Sequence, residues 1–205
     1  MNTSEIVRRL SVLATPTIYE ASGKLGDMSP DIRQIVPGTR LTGIARTVRC
    51  FPGDMTAVIR AIDEAQAGEV LVVDSGGTDR ATIFGGTSAR AAKARGIVGC
   101  VTNAAVRDIE ELIELKFPVF APGVSVRGTM KHHPGWRNIP IAVGGVPVSP
   151  GDIVIADGNG VVVVAAALAA EVCEKSEAQH RHEDERDRRA AAGENFAKLT
   201  GLPEA

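Results

Sequence analysis

Glu69-Val70-Leu71-Val72-Val73-Asp74 decides the fold of this chain. Its continuous apolar run leaves no polar face, so it reads as a strand covered on both sides, as in a parallel sheet flanked by helices. Upstream, residues 41–50 alternate and are rich in β-formers, which predicts another strand. Pro52-Gly53-Asp54 turns that strand into a helix capped by Asp54, with Val58, Ile59 and Ile62 facing inward. Downstream, Ser75-Gly76-Gly77-Thr78 reads as a loop. A helix follows from Gly85-Gly86-Thr87 to Arg95, with Ala89, Ala91, Ala92 and Ala94 for close packing. Residues 97–102 then read as a strand and residues 107–115 as a helix. The alternation over residues 54–115 predicts a parallel α/β layer.

Beyond Phe117 the texture changes. Val119-Phe120 and residues 124–127, 139–143, 146–148, 153–156 and 161–164 are short β segments punctuated by Gly and Pro. They predict a compact β layer or barrel. Pro150-Gly151-Asp152 and Asp157-Gly158-Asn159-Gly160 are turns, Asp152 and Asp157 being turn residues. Near the start, Thr3-Ser4 caps a helix that buries Ile6, Leu10 and Leu13, and Thr15-Pro16 opens a second that ends near Gly23. Residues 30–37 form a loop or short strand. A last helix covers residues 166–192, and its end, residues 179–189, is almost wholly polar. Such a helix is a solvated tail or an arm lying on a neighbouring subunit. No repeat or linker interrupts the 205 residues, which are expected to form one domain, 1–205, with this helical arm at its end.

Composition narrows the function. Hydrophobic residues make up 44% and aromatics only 3%, so the core must be built from Val, Ile, Leu and Ala. A net charge of −2 carries no nucleic-acid footprint. Cys50, Cys100 and Cys173 are odd in number and widely spaced, and read as buried thiols of a reducing compartment. The amphipathic N-terminus lacks a signal-peptide core, and the apolar stretch 161–170 is too short to span a bilayer. The expected setting is cytoplasmic, with neither membrane nor nucleic acid as a partner.

Asn103-Ala104-Ala105-Val106-Arg107-Asp108 carries the candidate chemistry. It follows a buried strand, where open α/β sheets bind ligands. A carboxylate there can hold a divalent cation, and a guanidinium can grip a substrate carboxylate with two prongs. The glycines of Gly85-Gly86-Thr87 precede a helix and can offer backbone N–H groups to an anion, although neither a Walker loop nor a dinucleotide fingerprint is present. His132-His133 and His180-x-His182 lack a third ligand at a metal spacing.

The order of segments resembles one family. Pro52-Gly53-Asp54, Val72-Val73-Asp74, Phe84-Gly85, Gly99-x-Val101 and Val106-Arg107-Asp108 all recur in it. So do Phe117-Pro118-Val119-Phe120, Asn138-Ile139-Pro140-Ile141, Gly145-Val146-x-Val148-x-Pro150-Gly151-Asp152 and Ala156-Asp157-x-x-Gly160-Val161. Over roughly residues 15–195 the chain resembles the regulator-of-ribonuclease-activity-A-like proteins. These include the class II 4-hydroxy-4-methyl-2-oxoglutarate / 4-carboxy-4-hydroxy-2-oxoadipate aldolases. The resemblance implies an αββα sandwich, a trimer or hexamer with sites between subunits, and Mg²⁺ or Mn²⁺ held by Asp108, waters and a neighbour's Glu185, with Glu183 second. It implies that Gly85, Gly86, Thr87 and Ser88 bind a 2-oxo acid through their backbone, with Arg107 binding it and stabilising a pyruvate enolate. Retro-aldol cleavage or oxaloacetate decarboxylation follows; the alternative is a non-catalytic regulator of the ribonuclease-inhibitor type. Members commonly carry an acidic residue where this chain has Gly86, and Asp-Gly where it has Asn103-Ala104. Asn103 is then expected to hydrogen-bond a water at the metal rather than take its proton.

Overall fold

The computed structural model describes residues 1–77 and 81–202; Thr78, the last residue of the loop expected after Asp74, lies outside the described residues. The chain opens with α1 (Thr3–Leu10) and α2 (Thr15–Ala21), then β1 (Arg33–Gln34) and β2 (Leu41–Arg49). The alternating part follows: α3 (Thr56–Glu64), β3 (Glu69–Asp74), β4 (Thr82–Phe84), α4 (Gly86–Ala94), β5 (Gly99–Thr102), β6 (Ala105–Val106), α5 (Ile109–Leu115) and β7 (Val119–Ala121). The last part holds β8 (Trp136–Arg137), β9 (Ile141–Val143), β10 (Val146–Val148), β11 (Ile153–Asp157) and β12 (Gly160–Val164). A 3₁₀ turn (Ala166–Leu168), α6 (Ala169–Ala191) and α7 (Phe196–Leu199) complete it.

Strands β2, β3, β5 and β7 pair in parallel, as the continuous apolar run of β3 requires; Leu71 sits between Arg46 and Cys100. The sheet grows antiparallel at both ends. β11 and β12 add to β2, and β1 adds to β7. The two ends approach each other, β1 lying near β12, so the mixed sheet is nearly closed. Inside the roll, Val72, Val101, Phe120, Val154 and Val163 pack against Met28, Ile32 and the β9–β10 hairpin. That hairpin turns through Gly144-Gly145 at φ 58° and 82°, the double positive φ of a tight type I′ turn.

Helices cover two flanks. Val58, Ala61 and Ile62 of α3, Ala89 and Ala92 of α4 and Leu112 of α5 pack on β2, β3 and β5. Ile6, Leu10, Ile18, Val172 and Cys173, from α1, α2 and α6, pack on Ile153, Ile155, Val162 and Val164. The result is the αββα arrangement. No helix among the described residues is long and apolar enough to cross a membrane.

Several local expectations shift. Asn2, not Thr3-Ser4, caps α1 by accepting the Glu5 N–H at 2.8 Å. Thr15 is the first residue of α2 and its hydroxyl is spent elsewhere, donating to Asp157 at 2.7 Å. Ile59 is not in the core; it is 36% exposed on the outer side of α3. Residues 124–127 are extended but form no strand: Val124 makes one bridge to Val106, and Val126 is 96% exposed. The segment meets β6 at that bridge and β4 through the Thr82 N–H, which donates to the Arg127 carbonyl at 2.9 Å, without a continuous ladder. Asp152 and Asp157 are turn residues, and both are buried and hydrogen-bonded. Cys50, Cys100 and Cys173 are buried free thiols, as expected.

Candidate active site

The site is built where two short strands bring two helix starts together. β4 and β6 pair in parallel, Thr82 with Ala105 and Phe84 with Val106, and the Arg107 N–H donates to the Phe84 carbonyl at 3.1 Å. The chain leaving β4 enters α4 at Gly85-Gly86. The chain leaving β6 enters α5 through Arg107-Asp108. The two starts therefore face each other.

Asp108 occupies the position before α5 at φ 58°, ψ 48°, a left-handed conformation that only short polar residues and glycine tolerate cheaply. Its side chain does not cap its own helix. It turns to the start of α4, where Oδ2 accepts the Gly86 N–H at 3.0 Å and lies 3.6 Å from Arg107 Nε. Oδ1 accepts no hydrogen bond among the described residues. The first-turn N–H groups of Thr87 and Ser88 are likewise without a protein acceptor there, and Gly85 provides no side-chain cap.

Gly85 is needed for space, not for backbone freedom, while Gly86 leaves room for the tip of a neighbouring side chain. Gly85 is extended at φ −165°. A Cβ on it would come 2.6 Å from Asp108 Oδ2 and 3.1 Å from Arg107 Cγ. A Cβ on Gly86 would overlap the Glu111 carboxylate, 2.8 Å from its Cδ. Glu111 thus reaches back from α5 over the start of α4, where it pairs with Arg90. A carboxylate stands beside Gly86 although that residue has no side chain.

A cavity of about 400 Å³ opens beside this cluster. Gly85, Thr87, Ser88, Arg107 and Asp108 line it, together with Met55, just before α3, and Ile59, Ile62 and Asp63 of α3. Gly128, Thr129 and Lys131 close the end. The closing segment is laced to its surroundings. The Met130 N–H donates to the Gly53 carbonyl at 2.8 Å, and the Met55 N–H donates to the Met130 carbonyl at 3.1 Å. Asp54 Oδ2 accepts the His132 and His133 N–H groups at 2.6 and 3.0 Å, while Oδ1 accepts the Thr56 N–H at 2.8 Å. Burial pushes the Asp54 carboxyl up, but these hydrogen bonds outweigh it and hold the group well below the usual carboxylate range. Met55, not Asp54, holds the cap position of α3, and Asp54 instead ties the start of α3 to the closing segment. His133 stacks on Phe51 with ring centroids 4.3 Å apart.

Of the residues expected at the site, Arg107, Asp108, Gly85, Thr87 and Ser88 line this cavity, and Gly86 binds Asp108 through its N–H. Asn103 lies elsewhere, at the end of β5. Its Oδ1 accepts the Ser75 N–H at 2.8 Å and its Nδ2 donates to Asp74 Oδ1 at 3.2 Å. Glu183 accepts from Thr17 Oγ1 at 2.6 Å and Gln179 Nε2 at 2.9 Å, within its own chain. Glu185 makes an exposed pair with Arg188 at 2.7 Å, on the flank of α1, α2 and α6. Among the described residues no three His, Cys, Asp or Glu side chains are grouped to hold a metal ion. The α3 residues and Lys131 were absent from the expected site. The helical spacing of Met55, Ile59 and Ile62 was there to be read, but it resembles an ordinary core stripe.

Known proteins resemble the whole arrangement. A family model described as RraA-like, Aldolase/RraA, matches residues 15–163. A relative from Halalkalibacterium halodurans, named "Putative 4-hydroxy-4-methyl-2-oxoglutarate aldolase", is 33% identical, covering 90% of this chain and 88% of that protein. A solved structure of an uncharacterized protein from Pseudomonas syringae pv. tomato superposes with a TM-score of 0.84 at 29% identity, covering 97% of this chain and 98% of that one. The RNA-processing inhibitor RraA from Thermus thermophilis superposes with a TM-score of 0.68 at 32% identity, covering 74% of this chain and 92% of that one. This chain belongs to the RraA-like (Aldolase/RraA) family.

Proposed function

We infer that the cavity binds a 2-oxo acid and breaks the carbon–carbon bond that leaves pyruvate. Substrates are of the 4-hydroxy-4-methyl-2-oxoglutarate type, with oxaloacetate decarboxylation as the smaller variant. The observation that carries this reading is the meeting of Arg107, Asp108 and the uncapped start of α4 in one cavity. The name of the Halalkalibacterium relative supports it.

Asp108 suits a hard divalent cation. One oxygen is fixed by the Gly86 N–H and the other is unengaged, and Mg²⁺ is commonly held by one or two carboxylates with the remaining positions left to water and substrate. Mg²⁺ or Mn²⁺ bound there would draw electrons from the 2-oxo carbonyl. The N–H groups of Thr87 and Ser88, at the positive end of α4, bind the 1-carboxylate. The Arg107 guanidinium offsets the negative charge that develops on the 2-oxygen as the bond between carbons 3 and 4 breaks. The 4-hydroxyl gives up its proton, carbon 4 leaves as a carbonyl, and carbon 3 takes a proton to give pyruvate. With oxaloacetate the departing group is CO₂. Asn103 braces the Ser75 turn and is left out of the catalytic set. Glu185 of a neighbouring copy, in a homotrimer or hexamer, is the second carboxylate for the cation; Glu183 is already engaged with Thr17 and Gln179.

A coupled pyruvate assay with oxaloacetate and 4-hydroxy-4-methyl-2-oxoglutarate tests this. Release above the metal-only background, abolished by EDTA and reduced at least roughly a hundredfold in Asp108→Ala, is expected. Release that persists in Asp108→Ala overturns it. No release at all favours a protein-binding regulator, the reading that likeness to the Thermus inhibitor supports.

A further inference from the structure

A second recess, of about 360 Å³, lies on the other helical flank, between the end of α1 and the middle of α6. Arg8, Arg9, His180 and Arg181 line it, with Glu177 as the single carboxylate among the lining residues. Arg9 grips Glu177 with two prongs, Nε donating to Oε1 and Nη2 to Oε2, both at 2.6 Å. This grip fastens α1 to α6 and lowers the Glu177 carboxyl below its ordinary range. Burial opposes the shift, and Arg181 and Arg8 add to it. Arg8 and Arg181 are therefore within electrostatic reach of Glu177. Yet neither side chain has an ion pair or hydrogen bond among the described residues, and both are exposed. His180 has Asp184 at 3.6 Å. Glu5, one turn earlier in α1, acts on Arg9 as well, so the uncompensated charge centres on Arg8 and Arg181. Three guanidinium groups thus share one carboxylate, in a chain whose net charge is −2. Val12 stands 74% exposed at the same recess, and none of the lining residues is aromatic.

We propose that this recess is a docking surface for an acidic segment of a partner protein, one that offers two or more carboxylates beside an aliphatic side chain. The recess already displays the chemistry of its ligand. Arg9 holds a side-chain carboxylate by its planar fork, and Arg8 and Arg181 present the same fork without one. Val12 gives the aliphatic side chain apolar surface to cover. Arginine enriched beside apolar contact is the composition of protein interfaces. A local positive field on an otherwise acidic chain steers an acidic partner to this flank. Nucleic acid fits less well, because Glu177 would face its phosphates and no ring is present to stack on a base. None of these residues lines the candidate active site, so the inference stands apart from the 2-oxo-acid reading.

Fluorescence anisotropy on the full chain, with labelled and capped hexapeptides, tests it. The peptide EELEEL is expected to bind, and its QQLQQL counterpart to bind roughly tenfold or more weakly. Arg8→Glu combined with Arg181→Glu should weaken EELEEL at least about tenfold. The thermal midpoint of that variant should move by less than about 3 °C, because both side chains are exposed. Glu177→Gln should tighten EELEEL about threefold by releasing Arg9 and removing the competing charge. Arg107→Ala should leave the affinity unchanged, and salt raised from about 50 to 300 mM should lower it. No binding of EELEEL at millimolar peptide, equal binding of the two peptides, or an affinity unchanged in the Arg8–Arg181 double variant overturns the proposal. So does equally tight competition by inorganic phosphate, which marks a small-anion site. Binding of oligouridylate in place of the peptide marks a nucleic-acid face and overturns it too.

Discussion

Asp108 shows function and stability pulling apart at one residue. A carboxylate held at φ 58° costs roughly 1 kcal/mol relative to glycine, and its side chain caps nothing in its own helix. Asp108→Gly should therefore abolish pyruvate release while leaving the thermal midpoint unchanged or up to about 3 °C higher. A lowered midpoint would show that the Gly86 contact matters more to the fold than to the site. Gly85 makes the converse case. Its backbone suits any residue, but an added methyl would press on Asp108 and Arg107. Gly85→Ala is expected to lower kcat/KM about a hundredfold with little change in melting, because a displacement near 1 Å suffices for that. The sequence displays Arg107-Asp108 and Gly85-Gly86 as two separate motifs. Nothing in either shows that Gly85 is empty to admit the Asp108 carboxylate. Asn103 is a similar case: the resemblance that pointed to it said nothing of the Asp74 and Ser75 partners it takes.

At the level of elements, strength of pattern governed what could be read. β3 and the α/β alternation were legible because a long apolar run and helical spacing leave few alternatives. β4, β6 and β8 were missed, being two or three residues each, shorter than the period that would reveal them. Yet β4 and β6 are the pair that assembles the site. Hydrogen bonds from turns to helix starts were also hidden. Asp157 accepts from the Thr15 N–H and hydroxyl at 2.9 and 2.7 Å and from the Asn159 N–H at 2.9 Å, joining α2 to the β11–β12 turn. Burial raises its pKa, but these bonds lower it further, so the net shift is downward, as for Asp54. A depressed carboxyl stabilises the fold fully above the unfolded value of about 3.9 and loses that contribution as pH falls through the folded value. Urea midpoints should hold between about pH 5 and 7 and drop below about pH 4. Asp157→Ala should cost about 1–3 kcal/mol at pH 7 and show a shallower acid drop. An unchanged acid limb would mean that the carboxylate contributes nothing.

For the whole molecule, the question is whether one chain completes its own site. The cavity draws on α3, α4 and α5, while Glu185 lies on the opposite helical flank with α1 and α2. If a neighbour supplies Glu185, then Asp108→Ala and Glu185→Gln chains, each inactive alone, should recover part of the activity when unfolded and refolded together. Mixed oligomers would contain one site with both carboxylates. No recovery would mean that each chain acts alone or that Glu185 is a bystander. The polar arm was legible from composition, since residues 179–189 have almost nothing to bury. Which copy it serves was not, because a single sequence contains no information on the placement of a second chain.

The pairing of β2 has a consequence for how the chain is made. On one side β2 meets β3 at residues 69–74; on the other it meets β11 at residues 153–157. During synthesis the first pairing is available early, and the second waits until most of the polypeptide has left the ribosome. Until then the Leu41–Ile44 stretch of that edge is open, β8 reaching only Val48 and Arg49, and α1 and α2 have no β11–β12 surface to dock on. Such an edge templates pairing with other chains, and distant pairings form slowly. Nascent chains halted before residue 153 are the ones that should recruit chaperones.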